Sequence, residues 1–257
     1  MIILLTNDDG IYAEGIQILA KKFIQDEDIK IHIVAPDHER SATGHAITMH
    51  RPLRAEQVEF HCNSNLRGWY VNGTPSDCVK LAIEYLLPEK PDLVISGINR
   101  GANLGTDVLY SGTVSAGMEA SILGIPGIAI SLTERENPDF HFAAEYIYKI
   151  IPHLFQQALS PHTLLNINIP GAREEIAGTA FTRLGIRQYH NAFEKRICPR
   201  GRSYYWMAGE AVDIINDGEK DTDVAVIKKG YISITPLQFD LTNHKQLDEL
   251  KQIDWEI

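Results

Sequence analysis

Two adjacent aspartates follow the first apolar run of the chain, in the stretch IILLTNDDG at residues 2–10. Successive side chains of a strand point to opposite faces, so Asp8 and Asp9 converge only if the chain leaves extended geometry there, and Gly10 permits such a turn. Two carboxylates about 4 Å apart repel by about 1 kcal/mol in water and by about 4 kcal/mol at an effective dielectric constant of 20. In a cleft, a divalent cation would relieve that repulsion. For the pair alone, a solvated Asx turn made with Asn7 is the simpler interpretation.

Two later segments are rich in oxygen-bearing and glycine residues. The first, PDHERSATGHAIT at residues 36–48, includes Ser41 among carboxylates, imidazoles and hydroxyls; taken alone, it is equally well explained as a hydrated loop. The second, SGINRGANLGTDVLYSGTVSAG at residues 96–117, holds Asn99 and Asn103 between glycines and ends in Ser111-Gly112-Thr113. A glycine-rich backbone before a helix leaves N–H groups free to meet a phosphate. Ser111 is also a good N-cap, which would be a structural role.

Short apolar runs alternate with helical patterns, and this alternation predicts the fold class. β-Branched runs at residues 2–6, 29–35, 92–96, 127–132 and 164–169 are typical of strands that are covered on both faces. Helical periodicity lies between them, at residues 14–25, 76–87, 113–123 and 140–159, and Thr74-Pro75-Ser76-Asp77 is a capping-box helix start. The pattern predicts an α/β fold, doubly wound, with a mostly parallel Rossmann-like sheet. Ligands of such sheets bind beyond the carboxyl ends of the strands, where all three polar segments lie.

The alternation of strand and helix patterns ends after Pro170. Residues 183–218 mix aromatic residues with charges and glycines, which predicts an extended β-hairpin; a strand at 230–235 and a terminal helix at 244–252 follow. We therefore expect one domain over residues 1–257, with a catalytic core at 1–170 and a C-terminal hairpin and oligomerisation region at 171–257.

Composition excludes several classes of protein. A net charge of -10, from 24 basic and 34 acidic residues, argues against a broad basic face that grips a nucleic-acid duplex. Three cysteines without CxxC spacing favour neither a disulfide framework nor a zinc ribbon, and fit a reducing cytoplasm. No signal peptide and no apolar run of about 18 residues is present, so no membrane partner is expected. The chain also lacks the dinucleotide, Walker, GxSxG and HExxH motifs.

Five motifs together resemble one family. TNDDG, APDHERSATG, VNGTPSDCV, DLVISGINRGANLG and YSGTVSAG, spread over residues 6–117, and the later ITPLQFDLT are similar to the SurE family of metal-dependent nucleoside monophosphate phosphatases. The resemblance implies one divalent cation per subunit, Mg²⁺ or Mn²⁺, held by Asp8, Asp9, Ser41 and Asn99. These are oxygen ligands, which suit hard cations. It also implies hydrolysis of 5′- or 3′-nucleotides, sometimes of short polyphosphate, and a homodimer or homotetramer that exchanges its C-terminal hairpin.

The corresponding mechanistic hypothesis assigns catalysis to Asp8 and Asp9. A metal-activated water attacks the phosphorus atom in line, and Asp8 orients or deprotonates this water. Asn103 and the Ser111-Gly112-Thr113 amides cradle the phosphoryl oxygens. The sequence does not identify the proton donor for the leaving group; water on the metal and a histidine such as His244 are the two candidates.

Three alternatives stay open at this point. Asp8 at a strand end also fits a phosphoaspartyl route. A nucleotide sensor would bind its ligand without turnover. A haloacid-dehalogenase-like phosphatase expects a DxD pattern where this chain has Asn7-Asp8-Asp9, and is the least favoured.

Overall fold

A computed structural model of the chain describes residues 1–59, 66–156, 160–171, 176–215 and 218–253. The strands are β1 (Ile2–Thr6), β2 (Lys30–Pro36), β3 (Ala55–Glu59), β4 (Arg67–Val71), β5 (Leu93–Arg100), β6 (Gly127–Leu132), β7 (Leu164–Ile169), β8 (Gly178–Phe181), β9 (Ile186–His190), β10 (Phe193–Ile197), β11 (Ser203–Met207), β12 (Glu210–Ile214) and β13 (Tyr231–Leu237). The α-helices are α1 (Glu14–Phe23), α2 (Pro75–Leu81), α3 (Gly112–Ile122), α4 (Phe140–Gln156), α5 (Asp223–Ile227) and α6 (His244–Leu250). In these ranges no helix is both long and apolar enough to cross a membrane.

Nine strands form the central sheet, in the order β3-β4-β2-β1-β5-β6-β7-β13-β8. Neighbouring strands from β4 to β7 run parallel, whereas β3 pairs antiparallel with β4, and β13 with β7. Alternate residues of β1 face opposite sides: Ile3 and Leu5 pack in the cluster that contains α1 and α4, and Leu4 packs against α2 and α3. The predicted α/β, doubly wound, mostly parallel fold is therefore confirmed.

Three strands of this sheet are absent from the sequence-based prediction. β3, with the sequence AEQVE, is an edge strand in which three of five residues are exposed, so it has no apolar run to reveal it. β4 and β8 are likewise short and mixed in polarity. Their partners β2 and β13, rather than their own periodicity, determine their conformation.

The end of β5 corrects a second expectation. The loop was expected to begin at Gly97, but the strand continues to Arg100 after a register shift between Ser96 and Asn99. Gly97, at φ +132°, allows this irregularity. Asn99 is therefore held in the ladder opposite Ser131 of β6, and not in a free loop.

Most helix ends lie within a few residues of their predicted positions, but the end of α2 differs more. There the α-helical hydrogen bonds end at Leu81, and a π-helical turn follows over Ala82–Leu86. The predicted capping box is present, because the Thr74 hydroxyl accepts from the Asp77 N–H and the Asp77 carboxylate accepts from the Thr74 N–H. The last three residues of the helix predicted at 140–159 lie outside the described residues.

The predicted C-terminal hairpin is present as two antiparallel ladders in series. β9 pairs with β12, and β10 pairs with β11 at its tip. At the base, Arg187 bridges Asp107 of the segment before α3 and Asp213 of β12, with N–O distances of 3.1 and 2.7 Å. This ion network attaches the hairpin to the segment that leads into α3.

Candidate active site

The Asp8-Asp9 pair lies in a turn just beyond β1, at the carboxyl edge of the sheet. Asn7 closes the turn: its Nδ2 donates to the Gly10 carbonyl at 2.8 Å, and its Oδ1 accepts from the Gly10 N–H at 3.2 Å. Gly10 has φ +100°, which a residue with a side chain rarely adopts. The Asx turn considered from the sequence is therefore present, but it is not solvated, since Asn7 is 1% and Asp8 is 6% exposed.

Asp8 is held by the N-terminus of α3. The Thr113 hydroxyl donates to Asp8 Oδ1 at 2.5 Å, and against the larger effect of burial the Thr113 side chain and backbone lower the pKa of this carboxyl. Gly112 leaves room for the contact, because a Cβ at that position would fall 2.8 Å from Asp8 Cβ and 3.0 Å from its Oδ2. The helix N-terminus adds a favourable partial charge.

The loop that carries Ser41 is tied to the same turn. The Arg40 N–H donates to the Asp8 carbonyl at 2.7 Å, and the Ser41 hydroxyl donates to Glu39 Oε1 at 2.5 Å. Further along the loop, His45 Nε2 lies 2.7 Å from Oε2 of Glu119, a buried carboxylate on α3. The Arg40 bond thus brings the second predicted segment against the first, and the His45 contact attaches it to α3.

The third predicted segment meets Asp9. Burial raises the pKa of the Asp9 carboxyl, and the backbone and charge of Arg100, the residue after Asn99, lower it in part. Asn99 Nδ2 donates to the Gly101 carbonyl at 2.8 Å, and its Oδ1 is therefore the amide atom suited to a cation. Asp8, Asp9, Ser41 and Asn99 thus come from the ends of three neighbouring strands, β1, β2 and β5.

Negative charge accumulates at this edge. Burial, with the charges of Asp8 and Glu39, raises the pKa of Asp9 to about 6, and Arg100 opposes this only in part. Burial also raises the pKa of Asp8, against the lowering effect of its hydrogen bonds to Thr113. Neighbouring carboxylates with raised pKa values mark a candidate functional site, and a bound cation would favour their ionised forms.

The residues predicted to bind phosphate are in different situations. Ser111 caps α3 by accepting from the Val114 N–H, and the hydroxyl of Thr113 donates to Asp8. Asn103 lies in a buried polar network: its Nδ2 donates one N–H to Ser131 Oγ at 2.7 Å, and its backbone carbonyl accepts from the amides of Asn166 and Asn168. His244, the suggested proton donor, lies 2.6 Å from Asp240 Oδ2 on an exposed segment.

Comparison with known proteins identifies the family of this chain. The family described as "Survival protein SurE" matches residues 3–191. The chain belongs to the SurE family. It is 55% identical to the 5′-nucleotidase SurE of Heliobacterium modesticaldum, with 99% of this chain and 92% of that protein covered. It is 56% identical to the 5′-nucleotidase SurE of Carboxydothermus hydrogenoformans, with 98% and 95% covered. The crystal structure of the SurE protein from Aquifex aeolicus superposes with a TM-score of 0.82 at 40% identity, and 98% of each chain is covered.

The four predicted metal ligands, Asp8, Asp9, Ser41 and Asn99, fit a divalent cation by their chemistry. No group of three or more His, Cys, Asp or Glu side chains suited to a metal occurs among the residues that the structure describes. A site at Asp8 and Asp9 would accordingly need neutral oxygens, which Ser41 Oγ and Asn99 Oδ1 can provide. The negative charge at the turn favours a small cation with oxygen ligands.

Sequence reasoning did not identify two contacts of this SurE site. Thr113 was expected to face phosphate, and here it positions Asp8, which is 105 residues away in the chain. Glu39 was one polar residue among many in its loop, and here it bonds Ser41 and raises the pKa values of both aspartates. The spacing Glu-x-Ser was the only available signal for the second contact.

Proposed function

We propose that this protein is a metal-dependent phosphomonoesterase that hydrolyses nucleoside 5′-monophosphates to nucleoside and phosphate. The observation that carries the proposal is the meeting of Asp8, Asp9 and the Ser41 loop at the carboxyl edge of β1, in a chain that belongs to a family with relatives named 5′-nucleotidase. When bound, one Mg²⁺ or Mn²⁺ per subunit would supply Lewis acidity toward the phosphoester and lower the pKa of a water molecule.

The side chains divide this work between them. Asp8, fixed by Thr113, orients the attacking water or takes its proton, and Asp9 supplies a second anionic ligand. Ser41 and Asn99 complete the set of oxygen ligands. The phosphoryl group is received by Asn103 and by the start of α3 at Ser111-Gly112-Thr113, where the helix N-terminus attracts anions. Because Thr113 already donates to Asp8, we expect Gly112 to contribute the freer backbone amide.

Several finer points are part of the proposal. The substrate range includes 5′-nucleotides first, with 3′-nucleotides and short polyphosphate as secondary substrates that share the phosphoryl group. The protein works in the cytoplasm, and its net charge of -10 disfavours a nucleic-acid duplex as partner. Residues 1–170 serve as the catalytic core and residues 171–257 as the hairpin and oligomerisation region.

The hairpin supports a homodimer or homotetramer. Every residue of β10 and β11 is exposed in the isolated chain, including Phe193, Trp206 and Met207 at 65, 60 and 77%. Large exposed apolar patches of this kind mark interaction sites, and a ladder without a packed face gains stability when a second copy covers it. Light scattering of the full chain measures the oligomer, and Trp206→Glu with Met207→Glu should lower its mass.

The alternative function is a sensor that binds a metal-nucleotide complex without turnover. The deciding experiment measures phosphate release from a panel of nucleoside 5′- and 3′-monophosphates and tripolyphosphate, in EDTA and with Mn²⁺ or Mg²⁺ restored. The nucleotidase predicts release that EDTA abolishes and the metal restores. Nucleotide binding without release under every condition would establish the sensor instead.

A further inference from the structure

The Ser41 side chain needs a specific orientation to be useful as a ligand. A hydroxyl carries one hydrogen and two lone pairs, so it can face a cation only if its hydrogen is directed elsewhere. Ser41 is exposed, and packing therefore does not fix its rotamer. In the structure its hydrogen has a defined acceptor, because Ser41 Oγ donates to Glu39 Oε1 at 2.5 Å.

Glu39 is also close to the other carboxylates. Its charge adds to the larger effect of burial in raising the pKa values of both Asp8 and Asp9. The residue between Glu39 and Ser41 is clamped, since the Arg40 N–H donates to the Asp8 carbonyl at 2.7 Å. The backbone that flanks both side chains is thus fixed to the end of β1. The hydrogen bond from Ser41 to Glu39 then fixes the orientation of the Ser41 hydroxyl.

We propose that Glu39 is a positioning residue for the metal site: it accepts the Ser41 hydroxyl hydrogen and so leaves the Oγ lone pairs for the cation. The inference rests on the proposed metal-dependent function. It assigns Glu39 no direct contact with metal or substrate. Partners of this kind hold a ligand in its productive orientation, and their removal commonly weakens metal affinity about 10- to 100-fold.

The test measures Mn²⁺ affinity directly, by the EPR signal of free Mn²⁺ titrated into the full-length protein in the absence of nucleotide. Glu39→Ala should weaken binding about tenfold. Glu39→Gln keeps an acceptor oxygen for Ser41 and should weaken it only about fivefold or less, because a neutral acceptor makes a weaker hydrogen bond than a carboxylate. Glu89→Ala, at an exposed carboxylate paired with Lys30, is the matched control and should bind Mn²⁺ as the wild type does. Thermal unfolding of each variant verifies that it is folded.

A double-mutant cycle separates positioning from other roles. If Glu39 acts through Ser41, Glu39→Ala adds no loss of affinity to Ser41→Ala. If Glu39→Ala still weakens Mn²⁺ binding in the Ser41→Ala background, and Glu39→Gln is as weak as Glu39→Ala, then Glu39 acts by its charge or as a ligand, and the inference is wrong. Wild-type affinity in Glu39→Ala, alongside a loss in Asp9→Asn, would overturn this inference alone. Unchanged affinity in Asp9→Asn would overturn the metal site and the inference together.

Discussion

Gly112 offers the sharpest test of how the site is built. An Ala side chain there would place Cβ 2.8 Å from Asp8 Cβ, so Asp8 must retreat by about 0.6 Å to restore a contact of about 3.4 Å. A misplacement of about 1 Å at a catalytic group costs about 100-fold in rate. For Gly112→Ala we therefore expect kcat for a 5′-nucleotide to fall by about 10- to 100-fold. The retreat also strains the 2.5 Å hydrogen bond from Thr113.

The stability change of this variant should be small. Overpacking costs about 1 to 3 kcal/mol, but Ala is favoured over Gly in a helix by up to about 1 kcal/mol. The free energy of unfolding should therefore fall by no more than about 3 kcal/mol, which is less than the total stability of a typical domain. Urea denaturation followed by circular dichroism measures it, alongside steady-state kinetics and Mn²⁺ affinity.

Gly117→Ala is the matched control for this variant. It lies on the same helix, and its Cβ would meet Leu164 Cδ1 at 2.5 Å, the end of a flexible side chain that does not reach Asp8. We expect it to lose stability without a comparable loss of kcat. Equal losses of kcat in both variants, or wild-type kcat in Gly112→Ala, would refute the idea that the Gly112 contact positions Asp8.

Three further predictions concern stability. In metal-free protein, burial raises the pKa of Asp9 to about 6 from an ordinary value of 3.8, so the folded protein holds a proton there more readily than the unfolded chain. The free energy of unfolding, relative to that of Asp9→Asn, should therefore rise by about 1 to 2 kcal/mol as pH falls from about 7 to about 5. Urea denaturation in EDTA measures it. Asp223→Ala leaves the backbone N–H groups of Gly105 and Gly185 without their acceptor and should cost about 3 kcal/mol or more, measured the same way; Asp223→Asn should cost less. Burial lowers the pKa of His32 below its ordinary value of 6.5, so the folded protein binds a proton there less readily than the unfolded chain, and stability is lost as pH falls below about 6.5. Thermal unfolding of His32→Leu should therefore show a weaker loss of stability over the same fall in pH.

Much of the fold was predictable because local patterns agreed with the final packing. Continuous apolar runs marked β1, β6 and β7 to within a residue, and the Thr74 capping box fixed the start of α2. Edge strand β3 was not predictable, since its exposed polar sequence is stabilised by pairing with β4 and not by burial. The extension of β5 to Arg100 was hidden for a related reason: glycine and polar residues there are typical of a loop, but pairing with β6 keeps them in the sheet.

The candidate site shows the same division. Its residue types were visible in the sequence, because Asp, Ser and Asn at strand ends are unusual in number and position. Their contacts were not, since Thr113 is 105 residues from Asp8 in the chain, and only the packing of α3 against β5 and β6 brings the two together. The hydrogen bonds of Asn103 to Ser131 of β6 and Asn168 of β7 were likewise hidden, because no local pattern reveals contacts between distant strands.

The most direct test of the proposed function follows Mn²⁺ binding and turnover in one titration. Metal-free protein is mixed with a 5′-nucleotide, Mn²⁺ is added stepwise, and EPR and phosphate release are recorded together for wild type and Asp9→Asn. We predict that wild-type turnover rises in proportion to bound Mn²⁺ with one ion per subunit, and that Asp9→Asn loses both. Full turnover in EDTA, or wild-type binding and turnover in Asp9→Asn, would contradict the proposed site.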